Sequence, residues 1–331
     1  MAIIKTLDQI NEIKKSNQII ARLYRDILPK YIKPGISTYE IDKIVDDYIR
    51  SQGAIPACIG VPGPYGAFPA ATCISVNEEV VHGVPNGRIL QEGDIVSIDT
   101  VTNLNGYFGD SAITFPVGEI DEESKKLLEV TEKSRTIGIE MAVVGNRLGD
   151  IGHAIQQYVE KNGFSVVRDY AGHGVGLSMH EDPMVPNFGR KGRGLKIENG
   201  MVLAIEPMVN VGTYKLNMKD DGWTVVTKDG KRSAHFEHSI ARIMRKMNDA
   251  VFYVEMSRPK RGYYTATYKL ITREPNSLPE HEITRRFFQM LEETIRKNPP
   301  YYLWTHNRWK RTREEFDKRY EVVKGKVVPR E

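Results

Sequence analysis

Residues 93–115 read GDIVSIDTVTNLNGYFGDSAITF. Asn105-Gly106 stands between two alternating, β-branched runs. That pattern predicts a hairpin, because a two-residue type I′ turn needs positive φ at both central positions. With the turn at 105–106, Leu104 faces Tyr107, Asn103 faces Phe108 and Val101 faces Asp110. Asp99 lies two residues before Val101 and so shares a face with Asp110. The two carboxylates become diagonal neighbours, within roughly 8 Å. Like charges so placed repel unless something positive lies between them. A pair of divalent cations answers that need.

Outward from the hairpin, a faint repeat runs through the first 245 residues. PGISTYEIDKIVDDYIRSQG, closing at Gly53, matches VGNRLGDIGHAIQQYVEKNG, closing at Gly163, at an offset of 110. Gly35 pairs with Gly145, Ile41 with Ile151 and Tyr48 with Tyr158. Each copy predicts an amphipathic helix ended by a glycine, and Ser37 with Glu40 forms a capping box on the first. His82-Gly-Val recurs as His173-Gly-Val, and VSID ending at Asp99 recurs as LAIE ending at Glu206. Two similar α+β halves around a shared centre are therefore expected. Helices are expected at about 7–28, 38–52, 121–143 and 148–162. Strands are expected at 72–77, 94–104, 107–116, 164–170, 201–211 and 233–242. Together they imply a curved antiparallel sheet with helices on one face.

Composition sets the class. The chain has 331 residues, 40% hydrophobic and 27% charged, which suits a globular protein of one or two domains. No apolar run approaches the roughly 20 residues that cross a bilayer. The opening MAIIKTLDQINEIKK has neither the apolar core nor the cleavage site of a signal peptide, so a cytoplasmic location is expected. Cys58 and Cys73 are too few for a disulfide scaffold and read as free thiols. Charge is uneven. From Asp249 onward there are 18 Lys and Arg against 12 Asp and Glu, and 13 of the 29 aromatics. A domain boundary is placed near 245, giving units 1–245 and 246–331.

Three more polar residues interrupt apolar strands or glycine-rich turns: His173 in AGHGVGLSMHEDP, Glu206 at the end of GMVLAIEP and Glu237 in SAHFEHSIARI. A carboxylate ending an apolar strand is costly to bury unless it is paired or metal-bound. Four carboxylates and one imidazole suit two hard-to-borderline cations. Two such ions roughly 3.5–4 Å apart can share a bridging hydroxide near neutral pH. Taken singly, each residue has an ordinary explanation: a solvated turn aspartate, a strand-end glutamate, or Glu237 paired with Lys231 or Arg232. Spacing and the echoing halves tie the five together. Of the other histidines, His235 is expected on the same strand face as Glu237, where it can support the ligands, and His238 away from it, while His153 is expected to be structural or exposed.

HGVPNGRILQEGDIVSID, NGYFGDSAITF, AGHGVGLSMHEDP, NGMVLAIEPMV and SAHFEHSIARI closely resemble type I methionine aminopeptidases, over about residues 4–243. The resemblance implies the α+β pita-bread fold and removal of the initiator methionine from nascent chains whose second residue is small. It implies two divalent ions (Co, Mn, Fe(II) or Zn), with Asp99 chelating one, Asp110 and Glu237 bridging, and His173 and Glu206 on the other. Glu206 is implied as general base. His82 is implied against the substrate amine and amide nitrogen, and His180 against the scissile carbonyl. Cys58, Phe68, Cys73, Met179 and Trp223 match the methionine pocket. The rim between Cys58 and Phe68 is longer than the common version, so Tyr65 has no assigned place. Monomeric action on nascent N-termini is expected. Two other classes stay open: a proline-specific pita-bread peptidase and a non-catalytic pita-bread binding protein.

Residues 249–325 resemble the C-terminal part of bacterial lipid A acyltransferases. That family's catalytic histidine has an acidic residue five positions on, and none of the eight histidines here has one. Acyl-transfer chemistry is therefore not expected. Three roles stay open for this part: a fused fragment, a replacement of the peptidase's last strand by AVFYVEM with Asn248-Asp249 in the turn, or binding of an anionic membrane or ribosomal surface by YYLWTHNRWKRTR.

Overall fold

Asn105 and Gly106 take left-handed backbone, with φ of 55° and 86°. The register follows the turn: Leu104 pairs with Tyr107, Asn103 with Phe108 and Val101 with Asp110. The structure is a computed structural model and describes residues 2–63, 65–241, 251–260, 263–272, 278, 282–297, 320–323 and 326–329. Two compact units lie in the chain, Met1–Met244 and Arg245–Glu331.

The first unit begins with α1 (Leu7–Arg22), α2 (Thr38–Ser51), β1 (Ile55–Pro56), β2 (Cys73–Val76), β3 (Glu79–Val81), β4 (Ile95–Leu104) and β5 (Tyr107–Pro116). It continues with α3 (Glu122–Met141), α4 (Leu148–Lys161), β6 (Ser165–Val166), β7 (Gly172–Gly174), β8 (Glu181–Val185) and β9 (Val202–Ile205). β10 (Met208–Asn210), β11 (Leu216–Met218), β12 (Val225–Thr227), β13 (Ser233–His235) and β14 (His238–Ala241) complete it. All of its strand pairs are antiparallel.

The two halves are built alike. In the first, Ile41, Val45 and Ile49 of α2 bury with Ile74, Val96 and Ile98 of β2 and β4. In the second, Ile151, Ile155 and Val159 of α4 bury with Leu203, Ile205 and Val209 of β9 and β10. Each such side chain, taken fully from water, contributes about 1.5–3 kcal/mol. Gly35 and Gly145 share φ of +97° and +99°, and Gly53 and Gly163 share +74° and +88°. The repeat is thus a repeat of backbone geometry. Ser37 and Glu40 cap α2 reciprocally, Glu40 N–H to Ser37 Oγ at 3.1 Å and Ser37 N–H to Glu40 Oε2 at 2.8 Å.

Four expected elements are shorter or broken. α1 stops at Arg22; a wider π turn, Leu23–Ile27, and a tight turn, Leu28–Lys30, carry the chain past Pro29. The strand expected at 164–170 is only β6. The strands expected at 201–211 and 233–242 each break in two, at Glu206-Pro207 and Phe236-Glu237. β9 pairs with β7 and β14, whereas β10 pairs with β6 and β13. At each break the chain leaves one sheet for another. Pro207 has no N–H for a ladder, and Glu237 N–H donates to Ala112 O at 2.8 Å instead.

α1 lies directly on the β4–β5 hairpin, with Ser16 Oγ donating to Thr102 O at 3.0 Å. Gly109 permits this approach. A Cβ there would sit 2.6 Å from Asn17 N and 2.9 Å from Ser16 C, both backbone atoms that cannot step aside. Gly109→Ala is expected to lower stability by about 2–3 kcal/mol, read as a shifted denaturant midpoint. An unchanged midpoint would mean that the helix is free to lift.

In the second unit β15 (Val251–Lys260) and β16 (Tyr263–Thr272) form an antiparallel hairpin with Phe252 opposite Leu270 and Val254 opposite Tyr268. α5 (Glu282–Lys297) covers one face of it, through Tyr253 against Phe287 (5.5 Å between ring centres) and Tyr253 Oη to Thr294 Oγ1 at 2.9 Å. β17 (Tyr320–Val323) and β18 (Lys326–Pro329) form a second hairpin. Asn248-Asp249, His281, His306 and YYLWTHNRWKRTR lie outside the described residues. Among the described residues, no helix is long and apolar enough to cross a membrane.

Candidate metal centre

All five candidate ligands line one cavity of about 530 Å³. Asp99 comes from β4 and Asp110 from β5, brought together by the hairpin register. His173 stands in the middle of β7. Glu206 and Glu237 come from the two strand breaks, where the chain is free of a ladder and can turn its side chain inward. Asp110, His173 and Glu237 are the tightest group, with one ligand atom each all within 4.8 Å of one another. His173 Nε2 is 3.6 Å from Asp110 Oδ2 and 3.5 Å from Glu206 Oε1. Its Nδ1 meets Gly174 O at 2.9 Å, which assigns that nitrogen as donor and leaves Nε2 as an unprotonated ligand atom.

The electrostatics of this cluster call for positive charge. Burial pushes Asp99 up to about 7. Asp110 is raised well above the carboxylate range by burial and then by Asp99. Burial raises Glu206 and Glu237 likewise, helped by the charge of Asp110. Asp99 Oδ1, Asp110 Oδ1 and Glu237 Oε1 are buried without a hydrogen-bond partner among the described residues. Buried carboxylate oxygens left so are expensive unless they face a cation. The donor set therefore fits one or more divalent metals, being rich in hard oxygen with one imidazole. Burial holds His173 down near 4, so its ring is neutral at pH 7, as a ligand must be.

Around the cluster stand three more imidazoles. His82 takes φ of 58° and packs edge-on against Tyr170, with ring centres 5.4 Å apart. Burial, then His180, lowers it to about 4. His180 is the most open of the set, yet its ring lies 4.4 Å from that of His173 and is desolvated enough to be lowered as well. His235, expected on the Glu237 face as a support for the ligands, points its Nε2 at Glu206 Oε2, 3.7 Å away. Its pKa falls to about 3 through burial. His153 and His238 lie outside the cavity lining. Glu237 does not pair with Arg232, which reaches Asp121 at 2.7 Å.

Cys58, Phe68, Cys73, Met179 and Trp223 gather into one apolar wall with Val101, and Phe68 meets Trp223 edge-on at 5.1 Å. Both cysteines are free thiols. Sequence reasoning missed Val61, Val81, Tyr170, Met184 and Met208 of the lining. Tyr170 stands one residue before the quoted AGHGVG, so extending that motif backward would have found it. The long rim folds as a small finger, with Phe68 N–H on Val61 O at 2.8 Å. Tyr65 at its tip is 78% exposed and packs beside Gly222 rather than lining the cavity.

Comparison with known proteins places the first unit in a family. The model of metallopeptidase family M24 matches residues 11–241, and that of bacterial lipid A biosynthesis acyltransferase matches residues 231–311. A methionine aminopeptidase of Clostridium acetobutylicum is 52% identical over 242 residues, 73% of this chain and 95% of its own length. The crystal structure of methionine aminopeptidase from Rickettsia prowazekii superimposes with a TM-score of 0.71 at 40% identity, covering 73% of this chain and 96% of that one. A prolidase from Pyrococcus furiosus shares the fold alone, at 22% identity and a TM-score of 0.58 over 73% of this chain and 63% of its own. The fold is the pita-bread fold, and through residues 11–241 the chain belongs to metallopeptidase family M24.

Proposed function

We propose that this chain is a metal-dependent exopeptidase that removes the initiator methionine from nascent proteins whose second residue is small. The observation that carries this is the junction of two features in one cavity: an acid-rich cluster with unpartnered buried oxygens, and a soft apolar wall beside it. The family membership and the 52% identical relative support the same reading.

In this proposal two divalent ions would be held by Asp99, Asp110, His173, Glu206 and Glu237. When bound, such ions polarise a carbonyl and bring the pKa of a coordinated water toward neutrality. The chain's own residues do the rest. Cys58, Phe68, Cys73, Met179 and Trp223 receive the thioether side chain, for which a polarizable, apolar wall is suited. His82 holds the substrate's amine and amide nitrogens. His180 donates toward the scissile carbonyl oxygen, where negative charge develops. Glu206 takes a proton from the attacking water and returns it to the leaving amine. We place the enzyme in the cytosol, acting on emerging N-termini as a monomer.

The full chain, stripped and then reloaded in turn with Mn(II), Co(II), Fe(II) or Zn(II), should release methionine from Met-Ala-Ser. It should leave a peptide with a bulky second residue intact. Hydrolysis of Xaa-Pro dipeptides without methionine release would replace this reading by the prolidase one. His82→Ala should lower turnover by on the order of 10²-fold while calorimetric Mn(II) affinity stays near that of the parent chain. Equal losses in both would remove His82 from the substrate-contact role.

A further inference from the structure

The 175–180 loop joins β7 to β8 and turns two side chains toward the cavity, Met179 and His180. A single carboxylate organises it. Glu181 Oε1 accepts the N–H of Leu177 at 2.6 Å and of Ser178 at 3.0 Å. Its other oxygen accepts from Lys5 Nζ. The two side chains of this ion pair are only 1% and 2% exposed. Lys5 belongs to the segment before α1, and its own N–H donates to Gly200 O at 2.9 Å, at the turn that leads into β9. Gly176 fits the loop against α1 and this segment, since a Cβ there would sit 2.4 Å from Ile13 Cδ1 of α1 and 3.4 Å from Lys5 Cε.

We propose that Lys5 is a positioning residue: through Glu181 it fixes the 177–180 loop and so aims the His180 imidazole at the substrate carbonyl. The inference rests on the peptidase reading. His180 is exposed and sits on a hairpin connection, so its aim depends on the backbone beneath it. A misplacement of about 1 Å in such a group costs about 10²-fold in rate. A buried ion pair contributes little net stability against an apolar substitute, because desolvation offsets the attraction. What it supplies here is a fixed tie, 176 residues apart in sequence, between the N-terminal segment and the loop.

Lys5→Met alone leaves a buried, uncompensated Glu181. Lys5→Met with Glu181→Gln removes both charges and keeps an acceptor for Leu177 and Ser178, so it folds where the single variant fails. In the full chain loaded with Mn(II), the double variant should turn over Met-Ala-Ser about 10- to 100-fold more slowly, with KM within about threefold. Calorimetric Mn(II) affinity should match that of the parent chain. In a His180→Ala background the same pair should lower kcat by less than about twofold, because the group it misplaces is gone. Parental kcat in the folded variant would overturn the proposal. So would an equal fold-loss in the His180→Ala background, which marks a merely structural role. A parent chain that releases no methionine would sink the peptidase reading itself, and this inference with it.

Discussion

Asp110→Asn is expected to lower turnover of Met-Ala-Ser by roughly 10³-fold or more, equal to about 4 kcal/mol of transition-state stabilisation. Asp110 lies 3.6 Å from His173 and within reach of Glu237, with Oδ1 buried and unpartnered. Under the proposed function it would hold metal together with His173 and Glu237. An asparagine of the same shape offers one neutral oxygen in its place, so metal should be held more weakly. The fold should survive. Removing one charge from a cluster of four raised carboxyls relieves repulsion, so the metal-free variant should melt at or above the metal-free parent at pH 8. Calorimetry should show weakened Mn(II) binding, and circular dichroism an unchanged fold. Turnover close to that of the parent chain would contradict the assignment of Asp110 as a ligand.

The hairpin that presents Asp99 and Asp110 was legible because its cause is local. Asn105-Gly106 selects one turn, and the turn fixes all ten pairs of the β4–β5 ladder. The helix-closing glycines were legible for the same reason, each marking a left-handed position at fixed spacing. Glu206 and Glu237 could be named but not understood from the sequence. Their strands read as continuous apolar runs, and only the sheet exchange at Glu206-Pro207 and Phe236-Glu237 explains how buried acids reach the cavity. Pro207 was the available signal, since proline cannot donate to a central ladder. Lys5 paired with Glu181 had no local signature at all. Nothing in MAIIKT marks its lysine for burial, because the partner arrives through a tertiary contact. The His235 contact to Glu206 was hidden likewise, as alternation along a strand gives a face and not a neighbour across a break.

Chelation should abolish turnover and expose a dependence of stability on pH that the bound ions hide. Two sets of groups act in opposite directions. His82, His173 and His235 are depressed to about 4, 4 and 3, so below about 6.5 the unfolded chain binds protons that the folded chain refuses, and stability rises with pH there. Their slope fades as the unfolded rings deprotonate, and above about 7.5 these histidines are neutral in both states. The carboxyls work the other way. Asp99 is raised to about 7, and Asp110, Glu206 and Glu237 are raised too, so the folded chain holds protons that the unfolded chain has released. Stability from these groups is lost as pH rises through their folded values. Between pH 7.5 and 8.5 this second set dominates, and the metal-free first unit should lose about 1 kcal/mol across that unit. That is a fall in melting temperature on the order of 3 °C across the window. Saturating Mn(II) should reverse the picture. A cation stabilises the ionised carboxylates and displaces their protons, so its apparent affinity rises with pH and offsets the slope. Calorimetry in two buffers of different ionisation heat should register the released protons. A metal-free melting temperature that holds level or climbs from pH 7.5 to 8.5 would mean that the four acids are not forced together. The site would then lack the repulsion on which cation capture depends.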